Sequence, residues 1–277
     1  MEIMEIIKEG FIFPSNNLEK LAIYIVLTFA IGILMIVGSV FVGLAADSNA
    51  GYIILAVIFA IAGILLALII SGYQIKIIKA GIDREEKVEG FDWKEDFITG
   101  IKYLIVSIVY FIIPMIVTVL MALVTNIPGQ FLDIVEKAAV TPANATAAAN
   151  ATAPVITVSD SAITALGSSI AITAIVAIVV FIIFAFLETM GEARLANTGS
   201  LGEAVNFSEA FNDLKKVGVG KVFAVVIIVF VIILVINGIL GYIYGQIPYL
   251  SIISVVVTPY LMFFSRRVVG TLYSEIA

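Results

Sequence analysis

The chain has no cysteine, no histidine and a single tryptophan, Trp93. Without cysteine, disulfides and thiol catalysis are excluded. Without histidine, the side chain that most often carries protons near neutral pH is missing. Charge is scarce as well: Asp, Glu, Lys and Arg make up 13% of the 277 residues, where a soluble domain has about 25%. The net charge of −6 argues against a nucleic-acid surface. No set of residues forms a catalytic, metal-binding or cofactor-binding signature, so neither an enzyme nor a cofactor is expected.

What fills the chain is apolar. Hydrophobic residues reach 62%, and they collect in six runs: Leu21–Ala46, Gly51–Ile75, Tyr103–Thr125, Ile163–Leu187, Val222–Gly245 and Ile247–Ser265. All but the last exceed the roughly 20 residues that cross ~30 Å of hydrocarbon. The expected fold is therefore an all-α, polytopic membrane bundle of six transmembrane helices, a single integral domain. None of the runs contains an ionisable residue, and such a group at mid-bilayer costs ~2.5–3.5 kcal/mol on insertion scales. A proton relay or a carboxylate-held ion inside the membrane is thus disfavoured, although backbone carbonyls stay open as ligands.

Lys and Arg give the orientation. Fourteen of the 15 lie before the first run, between the second and third, between the fourth and fifth, or after the sixth, and only Lys137 lies on the other side. The positive-inside rule then puts both termini in the cytoplasm of a multi-pass cell-membrane protein. A cleavable signal peptide is rejected, because the region before Leu21 holds four glutamates against two lysines and the run is longer than the 7–15 residues of a cleavable core.

A short signal, Asx-x-x-Glu-x-(Leu/Phe), precedes the first, third and fifth runs, at Asn16–Leu21, Asp92–Phe97 and Asn206–Phe211. An Asx at an N-cap accepts from free backbone N–H groups and a Glu three residues on reaches back, so each copy reads as a helix start. The chain then divides into three parallel helical hairpins, about 1–81, 82–190 and 191–277. Met1 to Phe13, ahead of Pro14, suits a short interfacial helix. Two connections on the cytoplasmic side carry amphipathic patterns. Trp93, Phe97 and Ile101 recur every four residues, and Phe207, Phe211 and Leu214 share a face. Trp93, Phe97, Phe207 and Phe211 are the candidate interaction surface, although any helix re-entering a bilayer also wants a cap and an aromatic anchor.

The external loop, 126–160, has a low-complexity Thr/Ala/Asn/Pro middle with two glycosylation sequons, at Asn144 and Asn150. A third sequon, at Asn206, falls on the cytoplasmic side and is expected to stay unused. Inside the membrane the candidate polar and kink residues are Asn237, Pro114 and Pro259. An intramembrane Asn more often joins helices than binds substrate. Small residues four apart, Ser39 with Gly43, Gly167 with Ala171 and Gly241 with Gly245, mark expected close contacts. Glu188 and Glu192 at the boundary are available for acid/base work, but capping and solvation account for them first.

Several segments carry a family resemblance: FIFPSNN (Phe11–Asn17), SGYQIKIIKAGI (Ser71–Ile82), GFDWKEDF (Gly90–Phe97) with Gly100, VSIVYFIIP (Val106–Pro114), ARLANTGSLGEA (Ala193–Ala204) and SRRVVGTLY (Ser265–Tyr273). Together they resemble the domain-of-unknown-function 4013 family over nearly the whole chain apart from the external loop. The resemblance implies an archaeal cell-membrane location and no activity. ARLANTGSLGEA is also faintly similar to the membrane part of some bacterial glycerophosphodiester phosphodiesterases, whose activity does not carry over to a chain with no hydrolase domain and no histidine. The functional expectation is a non-enzymatic protein that contacts membrane lipids, a protein partner or a second copy of itself. The alternative is a channel or facilitator for a small solute, with a path near Pro114, Pro259 and Asn237.

Overall fold

The structure is a computed structural model and describes residues 1–45, 50–139 and 160–277. Its elements are α1 (Ile3–Asn16), α2 (Leu18–Ala45), α3 (Ala50–Ile82), α4 (Trp93–Val124), α5 (Ile127–Ala139), α6 (Asp160–Thr198), α7 (Leu201–Ala204), α8 (Phe207–Val217), α9 (Val219–Gln246), a 3-10 turn (Pro248–Ile253) and α10 (Ser254–Tyr273). No strand occurs among the described residues. Six of the helices, α2, α3, α4, α6, α9 and α10 with its 3-10 lead-in, are long and apolar enough to cross a membrane. The protein is a multi-pass helical membrane protein, as the apolar runs require.

Several spanning helices extend past their apolar runs at the end that carries the termini. The third apolar run begins at Tyr103, but α4 begins at Trp93; the fourth ends at Leu187, but α6 continues to Thr198. The Trp93 segment is therefore the first turns of a spanning helix and not a separate surface helix. Its aromatic stripe faces outward, with Trp93 and Ile101 exposed and Phe97 half-buried, while Asp96 and Gly100 turn inward.

The three sequence signals resolve differently. Asp92 caps α4 as expected, its Oδ1 accepting from the amides of Lys94 (3.0 Å) and Glu95 (2.9 Å). The carboxylate that reaches back is Asp96, 2.9 Å from the Asp92 amide, because Glu95 leans toward Lys76. Asn206 caps α8 through the Glu209 amide at 3.3 Å. The first copy is not a cap. One residue separates α1 from α2, so Asn16 still belongs to the preceding helix. Asn17 instead spans to the α3–α4 connection, donating to the carbonyl of Glu86 (3.0 Å) and accepting from the amide of Val88 (2.9 Å).

The described residues form two compact units, one of Met1–Ile108 with Phe186–Ala277, the other of Val109–Ala185. In the first, a cluster of Phe13, Tyr24, Tyr73, Ile77 and Phe263 joins α1, α2, α3 and α10. Tyr73 also stacks on Phe91, with ring centroids 3.7 Å apart, and donates to the Glu89 carbonyl at 3.0 Å. This pair pins the α3–α4 connection to α3. Two helix crossings run backbone to backbone. A Cβ on Gly72 would strike the Asp96 carbonyl, and one on Gly100 the Leu68 carbonyl. A Cβ on Gly81 would lie 2.8 Å from the Cα of Gly270. These approaches need glycine. The small pairs expected from sequence make no such contact: nothing lies within 4 Å of a Cβ built on Gly43, Gly167, Gly241 or Gly245. Small-residue spacing permits close approach without selecting which pairs use it.

In the second unit the hydroxyls of Thr125 and Thr173 lie 3.0 Å apart, and Gln130 donates to Ser169 at 3.0 Å. Gln130 belongs to α5, so the first part of the expected external loop is helical. Asn126, at φ 56, ends α4 and turns the chain into α5. Asn144 and Asn150 lie outside the described residues.

Candidate functional site at the end that carries the termini

Both termini lie at one end, where the Met1 ammonium and the Glu275 carboxylate are 2.8 Å apart and Lys221, at the start of α9, reaches the same carboxylate at 2.6 Å. At that end α10 presents two adjacent arginines to different partners. Arg266 donates to Gln74 on α3 (3.0 Å), to the Tyr103 hydroxyl on α4 (3.0 Å) and to Glu192 on α6. Gln74 in turn donates to the hydroxyl of Tyr24 on α2 at 3.0 Å. One guanidinium thus ties five helices, using the fork geometry that only Arg supplies. Glu188, one turn before Glu192, accepts from Ser107 at 2.6 Å. Both carboxylates are held by side chains, not by caps or solvent.

Arg267 is nearly inaccessible, at 3% exposure, and takes a second set of partners. It donates to Glu9 on α1 (3.1 Å) and to the carbonyls of Ala80 (2.7 Å) and Glu85 (2.6 Å), and lies 4.5 Å from the Phe13 ring centroid. A buried cation without such partners would cost several kcal/mol, and here every side of it is answered.

A third cluster docks α8. Its buried face is Ala210, Asp213, Leu214 and Val217, while Phe207 is half-buried and Phe211 exposed with Lys215 over its ring at 4.2 Å. Asp213 accepts from Arg194 on α6 (2.6 Å) and from the Tyr273 hydroxyl (2.7 Å). Burial pushes its carboxyl up, but the hydrogen bonds from Tyr273, Arg194 and Lys216 outweigh this and hold it below the usual carboxylate range. The apolar face read from the sequence, Phe207, Phe211 and Leu214, leaves Asp213 among the remaining, water-facing positions. The only signal against that was the arginine in ARLANTGSLGEA, and spacing alone does not name its partner.

Between α3, the start of α4 and the end of α6 lies a cleft of about 350 Å³ lined by Lys76, Lys79, Lys102, Thr99, Asn197 and Thr198 with Asp83, Glu85, Glu89 and Glu95. Lys76 is 2.8 Å from the fully buried Asp96, and Lys79 pairs with Asp83 at 2.9 Å. Among the described residues Lys102 has only the Gly199 carbonyl, at 2.7 Å.

Asn237 is exposed on α9, donates to the Ile233 carbonyl of its own helix at 2.8 Å, and lines a small cavity with Thr258, Leu261 and Met262 of α10. Pro114 and Pro259 are buried within α4 and α10. A mainly apolar cavity of about 250 Å³ beside Pro259 is lined by Ile31, Ala67, Ile70 and Met262 with Thr28 and Thr258.

The family model described as Protein of unknown function (DUF4013) matches residues 54–245. The chain belongs to this family. Of the resembling segments, Ser71–Ile82, Gly90–Phe97, Val106–Pro114 and Ala193–Ala204 fall inside the match, and Phe11–Asn17 and Ser265–Tyr273 outside it. No curated protein and no solved structure matches the chain. The family supplies no chemistry, so the reading rests on the site.

Proposed function

We propose that this DUF4013 protein works by binding and not by catalysis: its charged end is a rigid recognition surface, and its spans are covered by lipid or by another polypeptide. One contrast carries the reading. In the most apolar stretch of each span only 6–22% of residues are buried, whereas Arg267, Asp96, Asp213 and Glu192 at the charged end are almost inaccessible. Polar interactions fix the helices at one end and leave long apolar flanks available. The lysine and arginine distribution supports a cytoplasmic position for that end, the resemblance supports an archaeal cell membrane, and the two capped connections support a repeated-hairpin plan.

A facilitator is the second reading, favoured by the cavities beside Pro259 and Asn237. Purification in native lipid, followed by mass-spectrometric identification of what co-purifies, separates the two. Retained lipid or protein in fixed ratio is the expected result. A protein that carries nothing, yet speeds solute flux when reconstituted in vesicles, overturns the binding reading.

A further inference from the structure

We propose that the cleft between α3, α4 and α6 binds a small zwitterion, with its anionic group on Lys102 and its ammonium between Glu85 and Glu89. This names a ligand class for the recognition end and so rests on the binding reading above.

Two of the three lysines in the cleft are already answered. Lys76 is neutralised by Asp96 with Glu95 nearby, and Lys79 by Asp83. Among the described residues Lys102 has no carboxylate partner; one of its three donors goes to the Gly199 carbonyl, leaving its charge and two donors unanswered there. Among the described residues, Glu85 and Glu89 make no ion pair: their backbone carbonyls accept from Arg267 and Tyr73, and those bonds fix the backbone while leaving the carboxylates unengaged. The unanswered charges are thus one cation and two anions around one concavity. A simple anion on Lys102 would face four cleft carboxylates, and a simple cation three ammonium groups. A molecule carrying both signs satisfies both sets.

The lining supports a polar guest. Thr99, Asn197 and Thr198 add neutral hydrogen-bonding groups. The volume is at the small end of the roughly 300–1,000 Å³ of ligand sites. The cleft is also built on fixed parts: Tyr73 stacked on Phe91, Asn17 bound to Glu86 and Val88, and the glycine crossing of α3 with α4 hold its walls before any guest arrives. A phosphoethanolamine group has the required pair of charges, and it exists both as a free solute and as a lipid headgroup.

Isothermal titration calorimetry on the full chain in detergent tests this with phosphoethanolamine, inorganic phosphate and ethanolamine, and co-purification from nanodiscs tests phosphatidylethanolamine against phosphatidylglycerol. Phosphoethanolamine is expected to bind at least tenfold more tightly than either half alone. Lys102→Gln and the Glu85→Gln/Glu89→Gln pair should each weaken it at least tenfold without lowering the melting temperature, and Lys102→Arg should retain binding. Preference for the free solute assigns a soluble ligand, and enrichment of phosphatidylethanolamine over phosphatidylglycerol assigns a headgroup. Equal binding of phosphate or ethanolamine alone, or unchanged binding in a well-folded Lys102→Gln variant, overturns the inference. If lipid or protein still co-purifies in fixed ratio while no zwitterion binds, the ligand assignment fails and the binding reading stands.

Discussion

At the scale of single residues, Arg266 and Asp213 have the most to lose. Arg266→Ala leaves Glu192 buried without its cation and removes the donors to Gln74 and Tyr103. Breaking one side of a buried pair costs about 3–5 kcal/mol, so the melting temperature should fall by on the order of 10 °C. Arg266→Lys should recover little, because an ammonium cannot serve three partners in a plane. A melting point within 2 °C of the parent, roughly 1 kcal/mol at this size, would show that the five helices do not depend on this guanidinium. Asp213 gives a pH dependence with a defined sign. Its folded-state carboxyl lies below the usual value, so its contribution is fully present above the unfolded pKa of about 3.9. It is lost as pH falls through the lower folded value. Thermal melting between pH 6 and pH 3 should therefore show a loss of stability below about pH 4 that is flatter in Asp213→Asn.

At the scale of elements, the glycine crossings and the empty small pairs make a matched comparison. Gly72→Ala or Gly100→Ala forces a methyl into a facing carbonyl, and monodisperse protein should be lost on size-exclusion chromatography. Gly167→Ala and Gly241→Ala meet open space and should change stability by no more than about 0.5 kcal/mol. Equal behaviour of the two sets would remove these crossings as the close contacts of the bundle. The same comparison shows what was legible. Six spans follow from run length, because a bilayer sets the length an apolar segment must have. Which glycines touch does not follow, since every small-xxx-small pair looks alike until helix partners are known. The caps divide in the same way. Asp92 and Asn206 follow from local chemistry, whereas Asn17 is explained only by Glu86 and Val88, some 70 positions away. Asp213 was hidden because a carboxylate in a polar stripe reads as solvated until Arg194 and Tyr273 are seen beside it.

At the scale of the whole molecule, the testable quantity is orientation. A chain without cysteine is a ready background for single-site labelling. Ala148→Cys, outside the described residues, should react with an impermeant thiol reagent on intact cells, and Gly90→Cys, in the exposed α3–α4 connection, only after lysis. The reverse pattern inverts the protein and with it the placement of the charged end. The Met1–Glu275 contact already requires the two ends of the chain to share a side, so one accessible site orients both.

The Gly72–Gly100 and Gly81–Gly270 crossings also limit how the protein can vary. When a side chain in a core enlarges, a neighbour can usually shrink to make room. Here each partner is already the smallest residue there is, and the obstructing atoms belong to the main chain. A second-site suppressor of Gly72→Ala should therefore never arise at position 100. It should arise in residues that set the separation of α3 from α4, such as those beneath Tyr73 and Phe91.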